Sequence, residues 1–274
     1  MKKIIISVMC LMMMLFGAVC NAASFSDMVD TDMNGNNVIR VIGTGVAPQG
    51  SQFSAPQKKM MARQAAITHG YGELAAAIKG LHVDAENTVE NFVLTNSRVT
   101  TKVSALVRGA KVVEEKEQDG AYIVVLEIPM YGSGSVAEAV IPEITSPVPQ
   151  APAVAPQPTQ QVYGRGGYTG LVIDCRGFDV SPAMCPLVKS TNGRTIYGYQ
   201  ITDSATLING GTANYIHSDT AVNRRAGSNP LVIRALSVEN HSVNPVVSDA
   251  DADLIIAENG LAHFLERGAV TILR

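Results

Sequence analysis

Apolar and polar residues alternate along "NVIRVIGTGVA", Asn37 to Ala47, and the β-branched residues among them predict a strand. Ser54 follows, with Gln57 three positions on and Pro56 between them, which reads as a capping box with proline in the first helical turn. Met60, Ile67, Tyr71, Leu74 and Ile78 recur at helical spacing, so they are expected to form the buried face of this helix until Gly80 stops it. The stretch "SRVTTKVSALVRGAKVVEEKEQ" is rich in Val and Thr and reads as strand, with Gly109 as a bulge. Asp119-Gly120 predicts a hairpin turn. In "AYIVVLEIPM", Tyr122, Val124, Leu126 and Ile128 share one face and Glu127 lies on the other. The expected first domain, residues 37–131, is α+β in the order β-α-β-β, with one long helix on a small antiparallel sheet.

Prolines then interrupt the pattern. Pro142, Pro147, Pro149, Pro152, Pro156 and Pro158 fix φ and remove donors, so residues 141–167 are expected to be an extended linker, relaxed at its end by "GRGGYTG". Residues 168–274 predict a second, mixed α+β domain. "TGLVIDCRG" and "NPLVIRALSV" read as strands, and "LVKSTNGRTIYGY" as a hairpin about Asn192-Gly193. Ser248 caps a helix expected to run to about Glu266, Gly268 ends it, and "AVTIL" is the last strand.

The N-terminus adds a compartment. Lys2 and Lys3, an apolar run from Ile4 to Val19 and small residues at Ala22 and Ala23 make residues 1–22 a signal peptide, so an exported protein is expected, periplasmic or at the cell surface. Two processing routes are open. Cleavage after Ala22 releases the chain. Lipidation at Cys20 places it on the outer membrane, although the bulky Val19 stands before that cysteine. Removing residues 1–22 takes away two lysines and no acids, moving the formal net charge from −3 to −5. That acidity argues against nucleic acid, and against a membrane partner unless Cys20 carries the anchor. Of the two cysteines left, Cys175 and Cys185, an exported chain is expected to make a disulfide.

No catalytic constellation emerges. "GTGVAP" has Pro48 where a dinucleotide loop needs its third glycine, and reads as a strand end with a bulge. "SDADAD", Ser248 to Asp253, has Leu254 where a calcium loop needs Gly and Gly260 where it needs Glu, so helix capping is the expected role. His69, His82, His217, His241 and His263 form no short ligand pair, and no G-x-S-x-G is present. Arg224-Arg225 reads as a solvated doublet. Catalytic residues, metal ligands and cofactors are therefore expected to be none.

Between Val38 and Tyr131, "VIGTGVAP", "KKMMARQAAITHGYGELAAAIKGLHV" and "LVRGAKVVEEKEQDGAYIVVLEIPMYG" together resemble the bacterial twenty-kilodalton surface lipoprotein family, the family of flagellar assembly lipoprotein P. The resemblance implies a small α+β fold, no catalytic residues and a place in the cell envelope. It also implies self-association, since some members form flagellar basal rings. The expectation is a non-enzymatic structural or assembly protein, partnered by envelope proteins or by itself as a homo-oligomer. The strand around Val99 to Val113 is its expected contact edge, through Val99, Val103 and Val107. The alternative is a binding module whose C-terminal domain recognises glycan or peptide through Tyr163, Tyr168, Tyr197, Tyr199 and Tyr215.

Overall fold

A computed structural model describes residues 38–50, 52–145, 156–159, 162–217 and 224–274. The first alternating stretch is strand β1 (Val38–Val46), followed by helix α1 (Ala55–Lys79). Ser54 and Gln57 form the expected capping box, with proline in the first turn. The buried face of α1 differs from the one the large apolar residues suggested. Met60 is 67% exposed, and the buried stripe is Ala62, Ala66, Gly70, Leu74 and Ile78. Its first three members are small because α1 lies directly on β1. A Cβ on Gly43 would overlap the Ala66 carbonyl oxygen, one on Gly45 the Ala62 carbonyl oxygen, and one on Gly70 would come within 2.7 Å of the Leu126 side chain. Gly43 and Gly45 therefore serve close packing. No bulge is present there, since β1 pairs without a break from Val38↔Pro129 to Val46↔Ala121.

Helix α2 (Val89–Thr95) comes next, and helix α3 (Ser97–Arg108) replaces the first half of the long strand expected from Ser97. The Asn96 side chain caps α3, accepting from Arg98 N–H at 2.9 Å and Val99 N–H at 3.4 Å. Val99 and Val103, four apart, face the core. The threonines that suggested a strand turn their hydroxyls back to helical carbonyls, Thr100 to Asn96 at 3.0 Å and Thr101 to Ser97 at 2.9 Å. Gly109 is the C-cap of α3, and the bulge lies further on, between Val112 and Glu114.

Strands β2 (Lys111–Gln118) and β3 (Ala121–Pro129) are joined by the expected turn, with Asp119 at φ 52° and Gly120 at φ 78°. The sheet order is β1-β3-β2, all antiparallel. Ion pairs Arg63–Glu115 at 2.7 Å and Lys59–Glu117 at 3.0 Å link α1 to β2. Helix α4 (Val136–Thr145) follows, where linker was expected from Ile141. Pro142 lies inside it and cannot donate to the Glu138 carbonyl. Lys102 Nζ reaches that carbonyl at 3.4 Å, and Val136, Ala137, Ala139, Val140 and Ile141 are buried. The prolines between 146 and 155 lie outside the described residues.

The second domain contains β4 (Gly170–Asp174), β5 (Val188–Ser190), β6 (Thr195–Tyr197), α5 (Ser204–Gly210), β7 (Asn214–Ile216), β8 (Pro230–Arg234), β9 (Ser237–Glu239), β10 (Asn244–Val247), α6 (Asp249–Ala262) and β11 (Val270–Leu273). One sheet, β7-β11-β4-β8, is wholly parallel, and the other, β6-β5-β10-β9, is mixed. The expected hairpin about Asn192-Gly193 is β5–β6. Ser248 caps α6, accepting from Asp251 N–H at 3.0 Å, and His263 ends it in a left-handed conformation, short of Glu266.

Two buried carboxylates of α6 fasten the segment that precedes β4. Asp253 accepts from the N–H and hydroxyl of Thr159 at 2.9 and 2.6 Å, and from Arg194 at 2.6 Å. Glu258 accepts from the N–H groups of Arg165 and Gly166, both at 2.8 Å. The glycines of "GRGGYTG" thus fit a clamped segment, and a Cβ on Gly164 would lie 2.8 Å from the Ala257 carbonyl oxygen. The domains meet along a short backbone bridge, with Met184 N–H to His82 O at 2.9 Å and Cys185 N–H to Val83 O at 2.7 Å. One apolar core runs through both.

Two predictions follow from these contacts. Gly43→Ala should lower stability by about 1–3 kcal/mol through overpacking, whereas Gly72→Ala, with open space around it, should stabilise by about 0.5–1 kcal/mol; urea unfolding of both variants checks this. For Asp253, burial pushes the carboxyl up, but Thr159 and Arg194 more than offset that and hold it well below the usual range. Its folded value is depressed, so its contribution is full above the unfolded value of about 4 and is lost as pH falls towards the folded one. Asp253→Asn should therefore lower stability at pH 7 and flatten the decline of the wild type below about pH 4, as read from urea midpoints across that range.

Candidate functional site

The residues singled out in the sequence do not converge. Cys175 and Cys185 are free thiols, both fully buried, and form no disulfide. Their backbones are anchored to different neighbours. Cys175 continues β4 and donates to Leu273 O, while Cys185 belongs to the inter-domain bridge and donates to Val83 O, each at 2.7 Å. Burial pushes both thiols up to about 12. Val99 and Val103 are buried core residues of α3 and Val107 is half-buried, so the three do not form an exposed strand edge. Cys20 lies outside the described residues.

The five tyrosines do not make one stacking surface. Tyr197 and Tyr215 are buried, with hydroxyls bonded to Thr212 O at 2.7 Å and to Ala183 O at 3.2 Å, whereas Tyr163 is 80% exposed. Arg225 is no solvated doublet partner. Its guanidinium donates to the carbonyls of Gly210, Gly211 and Gly268, closing the C-terminus of α5 against the turn before β11. Burial lowers its pKa. Among the described residues, no group of three His, Cys, Asp or Glu side chains is placed to hold a metal ion. None of their helices is long and apolar enough to cross a membrane.

What the fold does assemble is a surface. Helix α1 covers one face of the sheet β1-β3-β2, and the opposite face carries aligned cross-strand rows. Arg40, Glu127 and Lys111 form the first, Ile42, Val125 and Glu114 the second, and Thr44, Ile123 and Lys116 the third. Val46 extends the apolar centre at 70% exposure, with Ile42 at 60%. Arg40 and Glu127 pair at 2.7 Å. Both sheet edges are poor sites for an added strand. Thr44 N–H on β1 is taken by His69 Nδ1 at 3.0 Å. On the other side β2 is bulged, fully exposed and rich in Glu and Lys. The alternation "VIRVIGTGV" gave the polarity of β1, but Ile42 and Val46 read as ordinary strand residues until the register showed which face α1 leaves bare.

The chain is thus an α+β protein whose second domain joins a four-stranded parallel sheet to a mixed one. Over residues 170–274, from β4 to β11, it matches the family described as Treponema pallidum Tp0624, second domain. No curated protein matches the chain.

Because both thiols are buried and protonated at neutral pH, a thiol reagent should find neither in the native protein and two per chain of residues 23–274 in denaturant without reductant; spectrophotometric titration reads the count.

Proposed function

We propose that the protein is a non-enzymatic structural or assembly protein of the cell envelope that acts by self-association, or by docking to an envelope complex. The observation that carries this reading is the exposed apolar centre of the outer sheet face, Ile42 and Val46 beside Val125 and Ile123. Charges of both signs surround it, Arg40, Lys111 and Lys116 with Glu114 and Glu127, so the face is self-complementary and a second copy of the chain is the favoured occupant. With both edges blunted, face-to-face contact replaces strand addition. The resemblance of residues 38–131 to the bacterial surface lipoprotein family supports the same reading, as does the exported leader. Lipidation at Cys20, where it occurs, would place the assembly on the outer membrane.

Magnitude refines the reading. Three strands about 4.8 Å apart and about eight residues long offer roughly 400 Å² a side, against about 800 Å² per partner in a stable interface. One contact is therefore weak, and repeated or membrane-confined contacts strengthen it. The chain of residues 23–274 should show concentration-dependent self-association in sedimentation velocity. Ile42→Asp with Val46→Asp should leave it monomeric at every concentration with an unchanged circular dichroism spectrum. Undiminished association of that variant would remove this face from the mechanism.

A further inference from the structure

Beside the end of the first-domain sheet lies a cleft of about 650 Å³, within the range of small-ligand pockets. It opens between α3, the turn at Ser133–Ser135 and the start of α4. Lys102, Ala105 and Leu106 of α3 and its C-cap Gly109 recur at helical spacing along the cleft, and Ala139 of α4 also lines it. Leu106, Ile128, Pro129 and Val38 complete an apolar wall.

The charges around that wall are unevenly committed. Glu127 is paired with Arg40 at 2.7 Å, and the Glu138 carboxylate accepts Gly134 N–H at 2.5 Å. Lys102 and Lys111 also line the cleft, and among the described residues neither makes an ion pair with a carboxylate. Lys102 Nζ reaches only a backbone carbonyl, that of Glu138 at 3.4 Å, and an ammonium has three donors. An apolar trough with two ammonium groups at its rim suits a ligand with one apolar body and one negative end.

We propose that this cleft binds an anionic amphiphile, a single acyl chain ending in a carboxylate or a phosphate. The chain lies against Leu106, Ile128 and Pro129, and the anion sits between Lys102 and Lys111. The cleft borders the outer-face contact and shares Lys111 and Glu127 with its rim, but its apolar wall includes neither Ile42 nor Val46, so the Ile42→Asp, Val46→Asp variant should keep the binding.

The test is calorimetric titration of the chain of residues 23–274 with oleate, with oleoyl lysophosphatidate and with neutral monoolein, each below its aggregation concentration. The expected result is saturable one-to-one binding of at least one anionic probe. The relative affinities of oleate and lysophosphatidate tell a carboxylate from a phosphate preference. Lys102→Gln with Lys111→Gln should weaken the anionic probe at least about tenfold while leaving monoolein within about twofold. Ala105→Phe, at an exposed position on the cleft wall, should abolish binding of all three. Absence of saturable binding overturns the proposal, as does binding that neither variant changes. An acidic, apolar peptide that binds where no amphiphile does also overturns it. Thermal unfolding of each variant separates loss of the site from loss of the fold.

Discussion

The contact of α1 with β1 sets the geometry of the first domain. A helix and a strand approach this closely only where neither carries a side chain between them, and here Gly43 and Gly45 meet the Ala62–Ala66–Gly70 stripe. The close approach lets Leu74 and Ile78 further along α1 reach the core at full burial. It also means that one helix covers one face of a three-stranded sheet. The opposite face keeps its alternate residues in solvent, and the ion pairs from Lys59 and Arg63 hold β2 in the same layer. The bare face on which the proposed association rests is thus a consequence of the glycine contact.

A different physical device organises the second domain. Its parallel sheet is short, and the segment leading into it has few apolar residues to bury. Asp253 and Glu258 substitute for that missing apolar grip by accepting backbone N–H groups from Thr159, Arg165 and Gly166 within a buried site. Buried carboxylates are tolerable only when so fully partnered. The Arg225 guanidinium does the reciprocal task with three carbonyls, those of Gly210, Gly211 and Gly268, where β7 and β11 are about to begin. Backbone pairing of His82 and Val83 with residues 184 and 185 then joins the domains, where a proline spacer alone would have left them independent.

Local chemistry was legible wherever a residue's role rested on its immediate neighbours. The Ser54–Gln57 box, the Asp119-Gly120 turn, the inward face of β3, the Ser248 cap and the α+β class all followed from spacing. Misreadings occurred where two signals competed. Val and Thr after Ser97 favour a strand intrinsically, but burial of Val99 and Val103 at helical spacing prevailed. Pro142 argued against a helix, yet the apolar residues around it stabilise one, with Lys102 serving the freed carbonyl. The cysteine pair suggested a bridge by compartment and count, neither of which carries geometry.

The sequence by itself determined the caps and turns, the alternation of the strands and the absence of any familiar catalytic motif, because these depend on residues a few positions apart. Only the tertiary structure decided that the small face of α1 is the buried one, that both thiols are free and buried, and that α6 clamps the segment before β4. It also decided which side of the first sheet is bare and that Lys102 of α3 and Lys111 of β2 border one apolar cleft closed by α4. Each of these turns on the packing of elements remote in sequence, where close approach, burial and the pairing of charges arise from distances that residue spacing does not encode.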